Sequence, residues 1–281
     1  MNTLAGMRCL LFVPGNRPER FDKALASGAD AVVIDLEDAV PPAERPAARL
    51  AALAYLGRER APGTVLGLRI NALSTMDGLR DLLALAESGA RPDFVMPAKV
   101  GEAAEIRLAA GLTDASIALL ALVETPAGLA HIEEIAGASS RLAGLMFGGG
   151  DFAAEARADF SWEPLLYARQ RLAAAAAAAG IEAIDVPFLD VADGAGLAAE
   201  TRRVLSLGYT CKAAIHPAQV APVQACFSAD PAQVARARAI LAAAAAHGEG
   251  AFAFEGRMID RPILLAMQRI VALAARSSDH S

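Results

Sequence analysis

Cysteine, aromatic residues and the usual nucleotide-binding motifs are scarce or missing in this chain. Three of the 281 residues are cysteine, at positions 9, 211 and 226, and 5% are aromatic. No two cysteines form a C-x-x-C pair, so we expect neither a zinc ribbon nor a disulfide scaffold. No G-x-G-x-x-G motif follows a predicted strand, and the P-loop motif is absent.

Positive charge is also in deficit. The 26 lysine and arginine residues are outnumbered by 32 aspartate and glutamate residues, which gives a net charge of −6. The sequence therefore offers no basic field for nucleic acid or for an anionic membrane. A local basic patch could still bind a phosphorylated cofactor.

Long apolar segments are missing as well. No uninterrupted run of about 18 strongly apolar residues occurs, so no transmembrane helix is predicted. Hydrophobic residues nevertheless make up 55% of the chain, which excludes intrinsic disorder. The apolar N-terminus up to Pro14 has neither a charged leader nor a small-residue cleavage site, so we expect a cytoplasmic protein.

Eight short apolar runs alternate with segments of helical pattern. The runs are continuous rather than alternating, which is typical of strands buried on both faces of a parallel sheet. This order predicts a (β/α)8 TIM barrel, with a doubly wound open sheet as the alternative. The predicted strands are Cys9–Val13, Ala31–Leu36, Val65–Ile70, Asp93–Met96, Ile117–Val123, Leu142–Phe147, Ile181–Ile184 and Lys212–Ile215.

The chain continues beyond the eighth repeat. We predict a barrel domain over residues 1–228 and a C-terminal helical extension over residues 229–281. Within the extension the pattern predicts a helix over Asp230–Ala246, a loop over Phe252–Pro262 and a last helix over Ile263–Ala275. The extension is longer than closing a barrel requires, so it is either a cap or an arm that reaches a neighbouring subunit.

Acidic residues follow two of the predicted strands. Glu124 ends the fifth strand, and Asp151 follows the sixth after three glycines. In a barrel both would lie at the catalytic mouth, where oxygen ligands without histidine or cysteine suit Mg²⁺. Taken singly, each could instead be an ordinary loop acid or a helix cap.

Four further charged residues lie at the ends of the second and third strands. Asp35 and Glu37 alternate with Leu36, so they point the same way and could accept hydrogen bonds from metal-bound water or from Arg69. Asp38 could equally belong to a solvated turn. Arg69 could hold a carboxylate or stabilise an oxyanion, or it could form a structural salt bridge to these acids.

Two other sequence features carry weaker signals. His216, before a proline at the end of the eighth strand, is more simply a packed, hydrogen-bonded residue than a general base. Arg17, Arg20 and Lys23 form a basic rim at the first helix, where a phosphate would be favourable. A charged helix face is the equal alternative.

Taken together, these segments resemble the citrate lyase β-subunit-like branch of the HpcH/HpaI aldolase superfamily. The similarity runs nearly from end to end, and its specificity lies in the order of the motifs. The matching segments are Leu10–Arg20 (LLFVPGNRPER), Asp35–Pro41 (DLEDAVP), Arg69–Asn71, Glu124–Pro126, Phe147–Phe152 (FGGGDF), Ala214–Pro217 and Gly256–Pro262 (GRMIDRP).

The resemblance implies a TIM barrel, Mg²⁺ (with Mn²⁺ as the alternative ion) and a carbon–carbon lyase acting on a coenzyme A thioester. It implies Glu124 and Asp151 as metal ligands, Arg69 as the arginine for substrate and oxyanion, and Asp260 as an acid/base delivered from a neighbouring subunit. Relatives are trimers or dimers of trimers, so a homotrimer or hexamer is expected.

At the coenzyme A end, the resemblance implies contacts from Arg17 and Lys23. Two departures from the family pattern fall there: Cys9 stands where serine is usual, and Cys211 where glycine often precedes the lysine. Neither touches the implied metal ligands.

Two other functions remain open at this point. A pyruvate-class metal aldolase would act on free hydroxy-keto acids without coenzyme A. A citrate lyase β subunit would act on an acyl carrier within a complex.

Overall fold

The computed structural model describes residues 2–59, 63–228, 230–248 and 250–278. Eight parallel strands pair in the order of the sequence, and the eighth pairs with the first to close a barrel. The closed barrel confirms the predicted (β/α)8 fold and excludes the open sheet. The strands are β1 Cys9–Pro14, β2 Ala31–Asp35, β3 Val65–Ile70, β4 Phe94–Pro97, β5 Ala118–Val123, β6 Leu142–Phe147, β7 Glu182–Asp185 and β8 Cys211–Ala214.

Helices follow the strands. Several begin at a side-chain cap: Thr75 accepts the Gly78 N–H at 3.1 Å and Thr125 accepts the Gly128 N–H at 2.9 Å. None of the helices in the described ranges is long and apolar enough to cross a bilayer. The helices are α1 Phe21–Leu25, α2 Arg45–Leu56, α3 Met76–Ser88, α4 Ala103–Leu112, α5 Pro126–Ala130, α6 Ile132–Ala136, α7 Gly149–Ala156, α8 Trp162–Ala179, α9 Gly194–Ser206, α10 Val220–Phe227, α11 Pro231–His247 and α12 Arg261–Ser278, with 3₁₀ turns at Pro18–Arg20, Pro42–Glu44 and Pro217–Gln219.

Apolar side chains from the strands form a continuous core. Every residue of β5 and β6 is buried, as expected for strands covered on both faces. Buried residues from seven of the eight strands share one cluster, for example Leu10, Val33, Phe94, Leu120 and Met146. This packing fixes the carboxyl ends of the strands relative to one another, which is the mouth where barrel enzymes place their chemistry.

A buried ionic network joins β7 and β8 to the helices outside them. Lys212 is completely buried, and its ammonium donates to Asp185 at 2.6 Å, to Glu200 at 2.8 Å and to the Val186 carbonyl at 2.7 Å. Arg169 donates from Nε to the second oxygen of Asp185 at 2.8 Å. Each buried charge therefore faces an opposite charge, as burial requires.

We expect Lys212→Met to destabilise the barrel strongly, because it removes the cation that pairs with Glu200 and one of the two cations that pair with buried Asp185. Breaking a buried ion pair typically costs about 3–5 kcal/mol. Arg91→Met is the matched control, since Arg91 pairs with Asp114 at 2.8 Å but is 66% exposed, and such pairs contribute only about 0–1 kcal/mol. Urea unfolding measures both losses in free energy. If both variants lost the same free energy of unfolding, the buried network would not be a major contribution to stability.

The described residues form two compact units, within Met1–Gln224 and Ala225–Ser281. The second unit consists of α11, a two-stranded antiparallel hairpin and α12. Its hairpin strands are β9 Phe252–Phe254 and β10 Arg257–Ile259. Buried Ile240, Phe252 and Ile259 form its small core. That this extension packs on a neighbouring subunit stays a prediction.

The hairpin replaces most of the loop predicted over Phe252–Pro262, so that expectation is wrong. Its turn is the pair Glu255–Gly256, with φ values of 46° and 75°. Two consecutive residues of positive φ are typical of the two-residue turns that match strand twist, and glycine at the second position favours them. The alternation of Phe252, Phe254 and the turn glycine is therefore a signal that sequence reasoning could have used.

Candidate active site

A cavity of about 460 Å³ opens at the carboxyl ends of the strands. One part of its lining is charged, and the other part is apolar. Charged side chains come from Asp35, Asp38, Arg69, Glu124 and Asp151, and apolar side chains include Phe12, Leu122, Met146, Val186, Leu189 and Ile215. The cavity thus combines a polar end for oxygen-rich groups with an apolar surface, as small-molecule sites commonly do.

Three carboxylates in this region lie at a spacing suited to one metal ion. Glu37, Glu124 and Asp151 each offer an oxygen, and the three oxygens lie within 4.8 Å of one another. Glu37 and Glu124 are buried, whereas Asp151 is partly exposed. The structure therefore brings the two predicted ligands together. It adds Glu37, expected only as an acceptor for metal-bound water or Arg69, as a third candidate ligand.

The backbone around Glu124 holds its carboxylate in place. The Lys99 N–H donates to Glu124 Oε1 at 2.9 Å. On the opposite side Gly148 leaves the necessary space, because a Cβ there would lie 2.3 Å from the Glu124 Cβ. Gly148, the first of the three glycines before Asp151, thus allows the Glu124 side chain to approach the backbone closely.

Burial raises the pKa of Glu124 to about 8, although the Lys99 charge opposes the shift and the Glu37 charge adds to it. A carboxylate in such an environment needs a strong cation to stay ionised. Three clustered oxygen donors of carboxylate type are the ligands that hard cations such as Mg²⁺ and Mn²⁺ take. The residues present therefore fit a divalent ion at this position.

Arg69 lies beside the same cluster. It forms a salt bridge to Asp35, which was one of the two alternatives that the sequence left open. Its Nε and Nη2 donate to the two oxygens of Asp35 at 2.6 and 2.7 Å, and its Nη1 lies 3.1 Å from Glu37 Oε2. Its guanidinium also stacks on the Phe12 ring at 5.0 Å. Burial alone would lower the pKa of Arg69, but the charge and hydrogen bonds of Asp35, together with the charges of Glu37 and Glu124, outweigh burial and raise this pKa. Arg69 is thus a fixed, charged donor that lines the cavity.

Asp35 also shapes the turn that carries Glu37. Its two oxygens accept the N–H groups of Glu37 at 2.9 Å and Ala39 at 3.1 Å. Asp38, at the tip of this turn, is 55% exposed, which agrees with a solvated position. Asp35 is accordingly bound on one side to Arg69 and on the other to its own turn.

A second buried network beneath the mouth was missed by sequence reasoning. Asp81 in α3 accepts the Asn71 side-chain N–H at 2.7 Å and the Arg49 Nε–H at 2.6 Å. Asn71 also donates to the Leu36 carbonyl at 2.9 Å. The network ties the ends of β2 and β3 to α2 and α3. No local signal marks it, because Asp81 and Arg49 look like ordinary helix-surface charges.

Lys99 is a further charged residue of this site to which the sequence analysis assigns no role. Its ammonium lies 2.6 Å from Glu37 Oε1 and 2.5 Å from Asp151 Oδ2. Its position directly after Pro97-Ala98, at the end of β4, could have predicted a place at the site, since residues there face the barrel mouth.

Three further residues considered from the sequence lie apart from this cluster. Arg17 is exposed and pairs with Glu19 at 2.6 Å, and Lys23 is exposed on α1. His216 is hydrogen-bonded, with Nδ1 accepting the Ala218 N–H at 3.2 Å, but it is exposed, so the expectation of a packed residue is wrong.

Asp260 belongs to the second unit. There its Oδ1 accepts the Ile263 N–H at 3.3 Å and so caps the start of α12.

A closed barrel with clustered carboxylates and a largely buried arginine at its mouth defines a class of enzymes that bind a divalent cation and an anionic substrate together. The HpcH/HpaI aldolase/citrate lyase model matches residues 8–217. The chain therefore belongs to the HpcH/HpaI aldolase/citrate lyase family. This membership confirms the resemblance of the opening and strand-end motifs.

Named relatives lie within the same family. The chain is 38% identical to the L-malyl-CoA/β-methylmalyl-CoA lyase of Cereibacter sphaeroides over 286 residues, with 90% of each chain covered. It is 34% identical to the human mitochondrial citramalyl-CoA lyase, covering 95% of this chain and 85% of that one. The names of these relatives bear out the predicted reaction class, a carbon–carbon lyase acting on a CoA ester.

Solved structures show the same fold. CitE from Mycobacterium tuberculosis, in complex with magnesium, acetoacetate and coenzyme A, is 35% identical. It superposes with a TM-score of 0.83 over 96% of this chain and 99% of that chain.

If Glu124 is a metal ligand, the affinity for Mg²⁺ should depend on pH. Its carboxyl has a pKa of about 8, so below this pH an ion must displace a proton, and the apparent affinity should rise by up to roughly tenfold per pH unit. Above this pH the affinity should level off. Isothermal titration calorimetry of the apo-protein between pH 6 and about pH 9 measures the trend.

Glu124→Gln should abolish that binding, whereas Glu155→Gln, at an exposed position in α7, should leave it unchanged. An Mg²⁺ affinity that does not change with pH, or that survives Glu124→Gln, would show that Glu124 is not a ligand.

Proposed function

We propose that this chain is a magnesium-dependent carbon–carbon lyase that cleaves a β-hydroxyacyl-CoA such as malyl-, methylmalyl-, citramalyl- or citryl-CoA, or forms it by Claisen-type condensation. The observation that carries the proposal is the cluster of Glu37, Glu124 and Asp151 beside Arg69 at the barrel mouth. Family membership and the similarity to malyl-CoA and citramalyl-CoA lyases support it.

Glu124 and Asp151, with Glu37 beside them, would hold the ion. When bound, Mg²⁺ acts as a Lewis acid that acidifies the substrate hydroxyl and balances negative charge. The protein's part is to keep three carboxylates within 4.8 Å of one another despite their repulsion. The Lys99 N–H and the space left by Gly148 support that arrangement.

Arg69 would bind anionic oxygen of the substrate. Two of its N–H groups are taken by Asp35, which fixes the plane of the guanidinium. Hydrogens that remain on Nη1 and Nη2 can donate to a carboxylate or to the developing enolate oxygen. A donor held in advance stabilises charge without reorganisation, which makes such groups effective in catalysis.

Arg17 and Lys23 would contact the phosphates of coenzyme A. Both side chains are exposed, Arg17 in the first βα connection and Lys23 on α1, which supports access to a polyanion. Arg17 would exchange its ion pair with Glu19 for a phosphate, a small cost at an exposed site.

The proposed function is tested with purified protein and a panel of thioesters. Malyl-, methylmalyl-, citramalyl- and citryl-CoA are offered with Mg²⁺ and with EDTA, and release of the keto acid is followed. We expect Mg²⁺-dependent cleavage of at least one thioester and none in EDTA. Glu155→Gln is the matched surface control for Glu124→Gln.

The same assay is then extended to free hydroxy-keto acids and to an acyl carrier protein with partner chains, and two outcomes would contradict the proposal. Cleavage of free hydroxy-keto acids, with no thioester cleaved, would indicate a pyruvate-class aldolase. Activity only on an acyl carrier protein in the presence of partner chains would indicate a carrier-dependent citrate lyase β subunit.

We further propose that the active form is a homotrimer or hexamer in which Asp260 of one subunit serves as acid/base at the mouth of another. Asp260 follows the hairpin, where Met258 is 67% exposed, and precedes α12, where Leu265 is 44% exposed. Exposed apolar side chains near an acid support a covered surface in the assembly. A carboxylate at that place could supply or remove the carbon-bound proton.

Complementation between two inactive variants tests the shared site. Asp260→Asn removes the carboxylate but keeps a side chain that can cap α12. Mixed with Glu124→Gln under conditions of subunit exchange, it should regain activity, because hybrid oligomers contain sites with both residues intact. Mixing each variant with itself is the control. Continued inactivity after exchange has been verified would contradict a shared site, and full activity of Asp260→Asn alone would contradict its acid/base role.

We also propose a cytoplasmic location. Cys9 and Cys211 are buried free thiols, and burial raises the pKa of Cys9 to about 12, so that it is inert. Buried free thiols without disulfides are typical of a reducing compartment.

A further inference from the structure

The backbone at Lys99 adopts a conformation that non-glycine residues rarely take. Its φ is 52°, in the left-handed region. The residues on both sides are held by neighbouring strands, because Ala98 N–H donates to the Ile70 carbonyl at 3.1 Å and Val100 N–H to the Leu122 carbonyl at 3.0 Å. Such a conformation persists only where the surroundings impose it, and it often marks a functional position.

This conformation turns both polar groups of Lys99 toward the acidic cluster. The N–H donates to Glu124 at 2.9 Å, and the ammonium lies 2.6 Å from Glu37, 2.5 Å from Asp151 and 3.8 Å from Glu124. These are the same three carboxylates that offer the metal-ligand oxygens. One lysine therefore contacts every candidate ligand.

The charges at the mouth explain why an ammonium is stable there. Among the charged side chains described at the site, five carboxylates face only Arg69 and Lys99. Arg69 is bound chiefly to Asp35, so Lys99 is the main counter-charge of Glu37, Asp151 and Glu124. A divalent ion held by these three carboxylates would lie close to the ammonium, and the repulsion between the two would be strong in this partly buried site.

A second carboxylate offers the ammonium a place to go. Asp38 Oδ1 lies 3.8 Å from the Lys99 ammonium and is the most exposed acid of the group, at 55%. The lysine side chain itself is 31% exposed, so it lies at the solvent edge of the cluster. A rotation of its terminal bonds can exchange the inner oxygens for Asp38 and water.

We propose that Lys99 is an internal counter-ion of the metal site, whose ammonium competes with the divalent cation and withdraws toward Asp38 and solvent when the cation binds. The inference rests on the proposed metal-dependent function. Its consequence is that Lys99 sets how much free metal the protein needs.

The opposite role would be purely structural. If the ammonium stayed in place and merely positioned Glu37 and Asp151 as ligands, its removal would let them move apart, and metal binding would weaken. Competition and positioning thus predict opposite changes in metal affinity.

Titration with Mn²⁺, followed by the electron paramagnetic resonance signal of the free ion, separates these roles. Lys99→Met should bind Mn²⁺ about tenfold or more tightly than the unaltered chain, because an opposing charge is gone while the backbone N–H to Glu124 remains. Lys99→Arg should stay close to the unaltered affinity. Arg107→Met, at an exposed position in α4, controls for a general loss of positive charge. An equal or weaker affinity in Lys99→Met would overturn the proposal.

A second measurement needs no variant. The chain contains three lysines, at positions 23, 99 and 212. In a brief reaction with an amine-selective acetylating ester, exposed Lys23 is the internal reference and fully buried Lys212 the unreactive one. Peptide mass spectrometry should show that Mg²⁺ increases acetylation of Lys99 severalfold relative to Lys23.

The outcomes distinguish this inference from the proposed function. If the unaltered chain binds Mn²⁺ but Mg²⁺ leaves unchanged or decreases acetylation of Lys99, the counter-ion role alone is overturned. If the unaltered chain binds no Mn²⁺, the metal-dependent function is overturned and the inference with it.

Discussion

Repulsion among carboxylates at the barrel mouth is the constraint on which the rest of the site depends. Asp35 ends β2, Glu37 and Asp38 come directly after it, and Glu124 and Asp151 follow β5 and β6. Burial raises the pKa of Glu124 to about 8, which shows how poorly this environment tolerates another negative charge. Among the described side chains of this group, only Arg69 and Lys99 offset the five acids, so a divalent cation would remove most of the excess negative charge.

The barrel holds these like charges together by means outside the cluster itself. Strand pairing in sequence order sets the spacing of the ends of β2, β5 and β6. Below them, Asn71, Asp81 and Arg49 tie two strand ends to the helices. Backbone groups complete the arrangement at Glu124, where the Lys99 N–H donates and Gly148 leaves room. A scaffold rigid in this way can store the repulsion that a metal ion then relieves.

Much of the fold follows from the sequence because its physical basis is local. Continuous apolar runs mark β3 and β6 at their observed bounds, Val65–Ile70 and Leu142–Phe147. The seventh strand is predicted one residue early, since Asp185 looks like a loop residue until Lys212 and Arg169 pair with it in the interior. The C-terminal hairpin is missed because its apolar side chains alternate only briefly around Glu255–Gly256.

The site follows from the sequence only in part. Strand-end positions and family motifs identify Glu124 and Asp151, and the structure brings them together. That Glu37 approaches both, and that Lys99 contacts all three, depends on barrel closure and on a left-handed residue after β4, which no pattern of residue types reveals. Helix-surface charges such as Asp81 likewise become buried partners only in three dimensions.

The central claim is that this cluster is a divalent-metal site. Anomalous diffraction from crystals grown with Mn²⁺ tests it most directly, since the ion can be located without assuming its ligands. We expect one strong anomalous peak within coordination distance of Glu124 and Asp151 at the barrel mouth. A peak elsewhere, or no peak at this cluster while Mn²⁺ is present in excess, would contradict it.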